Sequence, residues 1–163
     1  MRATLIAFTL LAATVATCAS AQQVTQFMSD KDIMALIEKA KADRKGDAPS
    51  VAEPILQLAP YKAQLEYRPG TAPAALHDKD AELFVVLQGT GNIVTEGKLV
   101  NEKRVNAANS SGTSIEGGTS HMVAKGDMLL VPPNTPHQVI PTGGAPIVVM
   151  TMHVPFPAPA NWP

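Results

Sequence analysis

His77, Glu82 and His137 are the residues of this chain best suited to chemistry, because imidazole and carboxylate are donor types that together hold a divalent metal ion. His77 is followed after four residues by Glu82, and Glu82 after six more by Gly89. In a second block Gly126 is followed after five residues by Pro132, and then comes His137. Two further histidines, His121 and His153, complete the imidazole inventory.

Metal binding requires these side chains to converge from separate segments, and the strand period permits it. Ala75 and His77 are two apart, so they share a face if that piece is extended. Glu82 lies five residues beyond His77, which in one continuous strand would put it on the opposite face. A turn must intervene, and Asp78-Lys79-Asp80 is suitable turn chemistry. On the next strand Glu82, Phe84, Val86 and Gln88 share one face and Leu83, Val85 and Leu87 the other. Both faces are apolar enough to predict burial on both sides, with a helix or a second subunit over the outer one. Gly89 and Gly91 bracket a tight connection. The second block reads as turn, strand, corner and new strand, and its three prolines within five positions stiffen the corner that holds His137.

The two blocks resemble the paired motifs of the cupin superfamily, G-x5-H-x-H-x3,4-E-x6-G and G-x5-P-x-G-x2-H-x3-N. This resemblance spans residues 51–154 and implies an all-β fold, a single jelly-roll barrel of antiparallel strands. It also implies a divalent metal (Fe, Mn, Zn or Ni) near the barrel mouth, held by three His and one Glu. Carried over by position, His77 corresponds to the second histidine of the first motif, Glu82 to its glutamate and His137 to the histidine of the second motif. Ala75 stands where the first histidine belongs, Asn134 replaces a glycine, Pro141 replaces the terminal Asn, and Gly70 is one residue too close to the ligands. His121 or His153 is available to replace the ligand missing at Ala75. Cupins commonly dimerise through covered sheet faces, so a homodimer is expected.

The rest of the chain fits one domain. At 163 residues it is long enough for a single core and too short for two. Ser29 to Lys45 reads as an amphipathic helix with Ser29 as N-cap, Asp32 closing a capping box, and Ile33, Met34, Ile37 and Ala40 as the apolar stripe. After Pro54 the texture becomes short apolar runs between turn residues, predicting strands at 55–58, 62–67, 82–88, 91–95, 122–125, 128–131, 137–140 and 147–153. Residues 101–120, rich in Asn, Ser, Gly and Thr, are expected to form an exposed loop carrying at most a short hairpin. The expected organisation is a signal peptide at 1–21, a helical segment at 22–50, the β-barrel at 51–154 and an extended proline-rich tail at 155–163.

The signal peptide rests on Arg2, the apolar run from Leu5 to Ala16 and the small residues Ala19-Ser20-Ala21, with cleavage before Gln22. Export to the periplasm or beyond the cell follows. Lipid attachment at Cys18, the one cysteine, is the alternative, and Thr17 argues against it. Loss of Arg2 moves the net charge from -1 to -2, and charged residues make up only 17% of the chain. No basic field draws nucleic acid, and no apolar stretch is long enough for membrane insertion. A G-x-S-x-G elbow, a nucleophilic cysteine and a phosphate-cradling glycine loop are all absent.

Three functional readings stay open at this level. The first is a metal-dependent enzyme acting on a small molecule by dioxygenation, isomerisation or elimination. The second is a non-catalytic cupin that binds a small ligand or metal at a degenerate site. The third is an accessory protein that uses its helix and tail on a partner. Tyr67 and Arg68, just before the first block, read as strand-end residues with exposed polar tips, or else as groups reaching an anionic ligand at the mouth.

Overall fold

The computed structural model describes residues 27–58 and 61–155. The expected signal peptide, Cys18 and the tail beyond Pro155 lie outside the described residues.

The one described helix, α1 (Asp30–Asp43), begins where the sequence requires: the Asp32 amide donates to Ser29 Oγ at 3.2 Å and the Ser29 amide to Asp32 Oδ2 at 3.1 Å, a reciprocal capping box. It ends at Asp43, two residues before the expected Lys45, because Arg44 turns extended and its Nε donates to the Ala48 carbonyl. Ile37 and Ala40 are buried and Ile33 is packed beside them, whereas Met34 is 42% exposed. The expected stripe was therefore too wide by Met34. Positions 33, 37 and 40 follow one line down the helix, and 34 sits a further 100° round it.

Thirteen strands follow: β1 (Val51–Leu58), β2 (Tyr61–Arg68), β3 (Ala74–His77), β4 (Asp80–Gln88), β5 (Thr90–Thr95), β6 (Lys98–Val100) and β7 (Lys103–Asn106), then β8 (Asn109–Gly112), β9 (Ser114–Glu116), β10 (Thr119–Ala124), β11 (Met128–Val131), β12 (His137–Pro141) and β13 (Ile147–Pro155). One sheet runs β1-β2-β13-β4-β11 and the other β10-β5-β12-β3-β8-β7, with β6 and β9 forming a ribbon. All pairings are antiparallel. The two sheets face each other as a jelly roll that does not close into a continuous barrel.

Between the sheets lies a core of Phe84, Val86, Ile93, Val123, Val131, Val139, Ile147 and Val149. A second cluster, Ile37, Ala40, Ile55, Leu65 and Val148, fixes α1 to the outer face of the five-stranded sheet. The helix thus covers part of the outer face, as the apolar alternation on β4 requires, and Leu87 packs against this cluster. A salt bridge from Lys39 Nζ to Glu53 Oε1 at 2.6 Å ties α1 to β1.

Residues 101–120 correct the expected loop. They supply β7, β8, β9 and the start of β10, and β8 pairs directly with β3. Their composition misled because these strands are short and polar, so no apolar alternation marks them. Ser110 is nevertheless 3% exposed, and Gly112 lies so close to the Val100 carbonyl that an added Cβ would come within 2.8 Å of it.

Packing of α1 gives a direct test of this arrangement. Ile37→Ala should lower unfolding free energy by about 2–5 kcal/mol, the range for deleting a buried aliphatic side chain. Met34→Ala should stay within about 0.5 kcal/mol, as at other exposed positions. Urea unfolding of both variants checks the contrast.

Candidate metal centre

Four strands in two neighbouring pairs build the site. His137 at the start of β12 lies opposite Ala75 on β3, and His153 on β13 lies opposite Glu82 on β4. His77 closes β3, two residues beyond Ala75, and the turn at Asp78-Lys79 carries the chain into β4 so that Glu82 faces the same interior. The corner before β12 is held by a short bond from the Asn134 amide to the His77 carbonyl, 2.7 Å. Asn134 has φ +57°, a left-handed conformation that explains why glycine is the pattern residue here and why Asn is a workable substitute. Gly89, after β4, has φ +82°, and an added Cβ would meet the Pro146 carbonyl at 2.3 Å.

Glu82 is 4% exposed and sits among three imidazoles. His137 Nε2 lies 2.9 Å and His77 Nε2 3.2 Å from Glu82 Oε2, while His153 Nε2 lies 3.7 Å from Oε1. The ring centroids of His77 and His153 are 4.6 Å apart, and those of His77 and His137 are 5.1 Å apart. His77, Glu82 and His153 offer ligand atoms all within 4.8 Å of one another. His137 is not one of that set; it approaches Oε2, as His77 does, whereas His153 faces Oε1. Its 2.9 Å approach to the shared carboxylate nonetheless makes it part of the cluster. His121 is elsewhere: it lies within β10, with Nε2 3.2 Å from Thr95 Oγ1, and does not line this cavity.

The far sides of two rings decide how they present themselves. His77 Nδ1 is 2.7 Å from Asn109 Oδ1, and the Asn109 amide is oriented by donating from Nδ2 to Asn106 Oδ1. His137 Nδ1 is 3.1 Å from the Thr135 carbonyl. Both acceptors place the ring proton on Nδ1, so in the neutral imidazole the Nε2 lone pair points inward. Two lone pairs would then face one carboxylate oxygen. A divalent cation between them satisfies all three groups, and without one a proton must sit between the carboxylate and the imidazoles.

The residues fit such an ion. Ligands about 2.1 Å from a metal lie about 3.0 Å apart across an octahedral edge and about 3.4 Å apart across a tetrahedral one. The Nε2 to Oε2 distances of 2.9 and 3.2 Å have that size.

Charge in the metal-free cluster follows the same geometry. Desolvation raises the Glu82 pKa, but hydrogen bonds from His137 and His77, with the charge of His137 and His153, outweigh it and hold the carboxyl well below its usual range. Desolvation pushes His77 down, yet its bonds to Glu82 and Asn109 and the Glu82 charge carry it above the ordinary 6.5. Desolvation and the charge of His77 leave His153 below 6.5, against the pull of Glu82 and Asp80.

These three groups line a cavity of about 190 Å³ together with His137, and the same cavity reaches Gln64, Glu66, Arg68 and Gln138. Sequence patterns missed Asn109, Glu66 and Gln138. Asn109 lay in the segment read as loop, and the other two carry no motif. Arg68, expected at a strand end with an exposed tip, turns inward and pairs with Glu66.

No protein-family model matches the chain, and no curated protein is similar to it in sequence. Solved structures do resemble it. An uncharacterized conserved protein with a double-stranded β-helix domain from Klebsiella pneumoniae superposes with a TM-score of 0.53 at 13% identity, over 83% of this chain and 94% of that one. A cupin protein from Bacteroides fragilis gives 0.50 at 16% identity, over 74% and 90%. The cupin domain of Cnp3 from Schizosaccharomyces pombe gives 0.50 at 12% identity, over 71% of this chain and 66% of that one, just under two thirds of its length.

The charge pattern predicts how the cluster titrates. In chelator-treated protein the His77 ring should titrate above 6.5 and the His153 ring below it. His77, with its folded pKa raised, adds stability fully below its unfolded value and loses it as pH rises through the folded pKa. His153, with its pKa lowered, adds stability above its unfolded value and loses it as pH falls through the folded pKa. Ring-resonance NMR titration reads both midpoints, and Glu82→Gln should bring the His77 midpoint down.

Proposed function

We propose that this cupin-fold protein is a metal-dependent enzyme, with His77, Glu82, His137 and His153 holding a divalent Fe, Mn, Zn or Ni ion against a small-molecule substrate. The carrying observation is the pair of Nδ1 atoms committed to Asn109 Oδ1 and the Thr135 carbonyl, which directs two Nε2 lone pairs onto Glu82. Such outer partners fix ring tautomer and orientation at metal sites. The reading of a decayed site drew on Ala75, and His153, across the sheet from Glu82, supplies a donor in its stead.

Bound in this set, the ion supplies Lewis acidity or an O₂ site, for dioxygenation, isomerisation or elimination. The chain's own residues do the rest. Phe84 edges against His137, ring centroids 5.7 Å apart, and keeps that side of the cluster dry. Glu82 stays ionised, and if displaced from the ion by substrate it becomes a proton acceptor within the cavity.

The protein is further assigned to the periplasm or the outside of the cell, on the strength of residues 1–21. As its macromolecular partner we propose a second copy of the chain. Beyond the reach of α1, the outer face of the five-stranded sheet presents Met128 at 66% and Leu130 at 58% exposure, next to Val85 and Leu83 in register. An apolar face continuous over two strands is the kind of surface a homodimer covers.

Metal analysis tests the site. Protein purified without chelator should carry near-stoichiometric metal, with strong loss in His77→Ala and His137→Ala. Asn109→Ala should weaken affinity by about 10–100-fold while leaving the ligands in place. Equal metal content in all four proteins would overturn the site. For the assembly, light scattering coupled to gel filtration should find a dimer, and Met128→Lys/Leu130→Lys a folded monomer.

A further inference from the structure

The wall of the cavity formed by β2 holds a second polar group that the metal cluster does not use. Gln64, Glu66 and Arg68 alternate along β2, so all three face inward. Glu66 is 8% exposed, and its Oε1 accepts from Gln64 Nε2 at 3.1 Å and from Thr151 Oγ1 at 3.4 Å. Its Oε2 accepts from Arg68 Nε at 2.8 Å and also from Nη2. The Arg68 side chain is itself only 15% exposed.

A buried ion pair is a costly way to fill space, since apolar residues of similar volume do as well or better. This one has a geometric result. Glu66 engages the Nε and Nη2 edge of the guanidinium and fixes its plane, and among the described residues Nη1 has no hydrogen-bond partner. Arg68 is also the one Lys or Arg lining this cavity, so the uncommitted donors are its fixed point of positive charge. Gln138, on the facing wall, spends its Nε2 on the Ala72 and Thr113 carbonyls and adds no free donor. Pro73 and Ala75 line the same space with small side chains that leave it open.

We propose that Arg68, held by Glu66, is the subsite that binds the carboxylate of a small monocarboxylic acid whose other end reaches the His77, Glu82, His137 and His153 cluster. The identification rests on the small cavity and on the free edge of the guanidinium, whose remaining Nη1 and Nη2 N–H groups form a planar fork that matches a carboxylate. The cavity, about 190 Å³, is smaller than the roughly 300–1,000 Å³ of sites that take drug-sized ligands, which suits acids as small as pyruvate or lactate. The inference extends the metal-enzyme reading by naming its substrate class, but the Arg68 subsite is built without any metal ligand and can be tested apart from it.

The test is isothermal titration of acetate, acrylate, pyruvate and lactate, each beside its uncharged amide, into the full mature protein with and without its metal. The expected result is at least about tenfold tighter binding of the acids than of their amides, with that preference lost in Arg68→Gln in both metal states. Glu66→Gln/Arg68→Gln, which removes both charges together, guards against misfolding from a lone buried carboxylate and should lose the preference too. Arg68→Lys, which keeps charge without the planar fork, should retain part of it. A preference unchanged in the double variant, or no binding by any of the four acids, overturns the proposal. His137→Ala separates the two readings: loss of metal with the Arg68-dependent preference intact supports the subsite. If the parent protein holds no metal yet shows the Arg68-dependent preference, the enzyme reading fails and the subsite stands.

Discussion

A single buried carboxylate organises this protein. Glu82 at 4% exposure cannot stay ionised in an apolar interior unless positive charge surrounds it, and the three imidazoles beside it, from three different strands, must take up protons or share a cation to supply that charge. Bringing them there demands that β3 turn sharply into β4, that a rigid corner deliver His137 to the start of β12, and that β13 lie beside β4 in the register that sets His153 opposite Glu82. Much of the jelly-roll connectivity near the mouth can be read as meeting that demand.

The polar strands of the six-stranded sheet serve the same end from behind. β8 pairs with β3 and sets Asn109 across from His77, where its oxygen holds Nδ1 and leaves Nε2 to the cluster. The Asn134 amide bonds back to the His77 carbonyl, so the second motif's corner and the first motif's histidine are locked to each other. Ala75 and His153 form a trade: the imidazole absent from β3 is matched by one on the opposite sheet, and Ala75 leaves space in the cavity. Both sheets contribute to the cluster, His77 and His137 from the six-stranded sheet and Glu82 and His153 from the five-stranded one, which also carries the Glu66 and Arg68 pair.

Strand alternation makes both sheet faces of β4 apolar and leaves the outer one to be covered from outside. Helix α1 covers the part over Leu65, Val148 and Leu87, with Lys39 and Glu53 holding it in place, while Met128 and Leu130 stay open. The inner face thus carries the polar cluster, and the outer face an apolar strip that α1 leaves uncovered.

The sequence by itself determined the local features. The helix and its capping box, eight of the strands in outline and the turn between His77 and Glu82 follow from spacing, because each depends on neighbours within a few positions, while His77, Glu82 and His137 were singled out by their match to the paired motifs. Residues 101–120 were unreadable, since polar strands lack the alternation that reveals a half-buried one, and with them Asn109 was lost. The Met34 side of α1 was read too generously because a sequence stripe has no sharp edge. Only the tertiary structure could choose His153 over His121, for both sit in strands and nothing local differs between them: the choice is made by β13 lying beside β4, a pairing of residues about seventy positions apart. The same long-range packing turned Arg68 inward onto Glu66, where a strand-end arginine by itself has no reason to leave water.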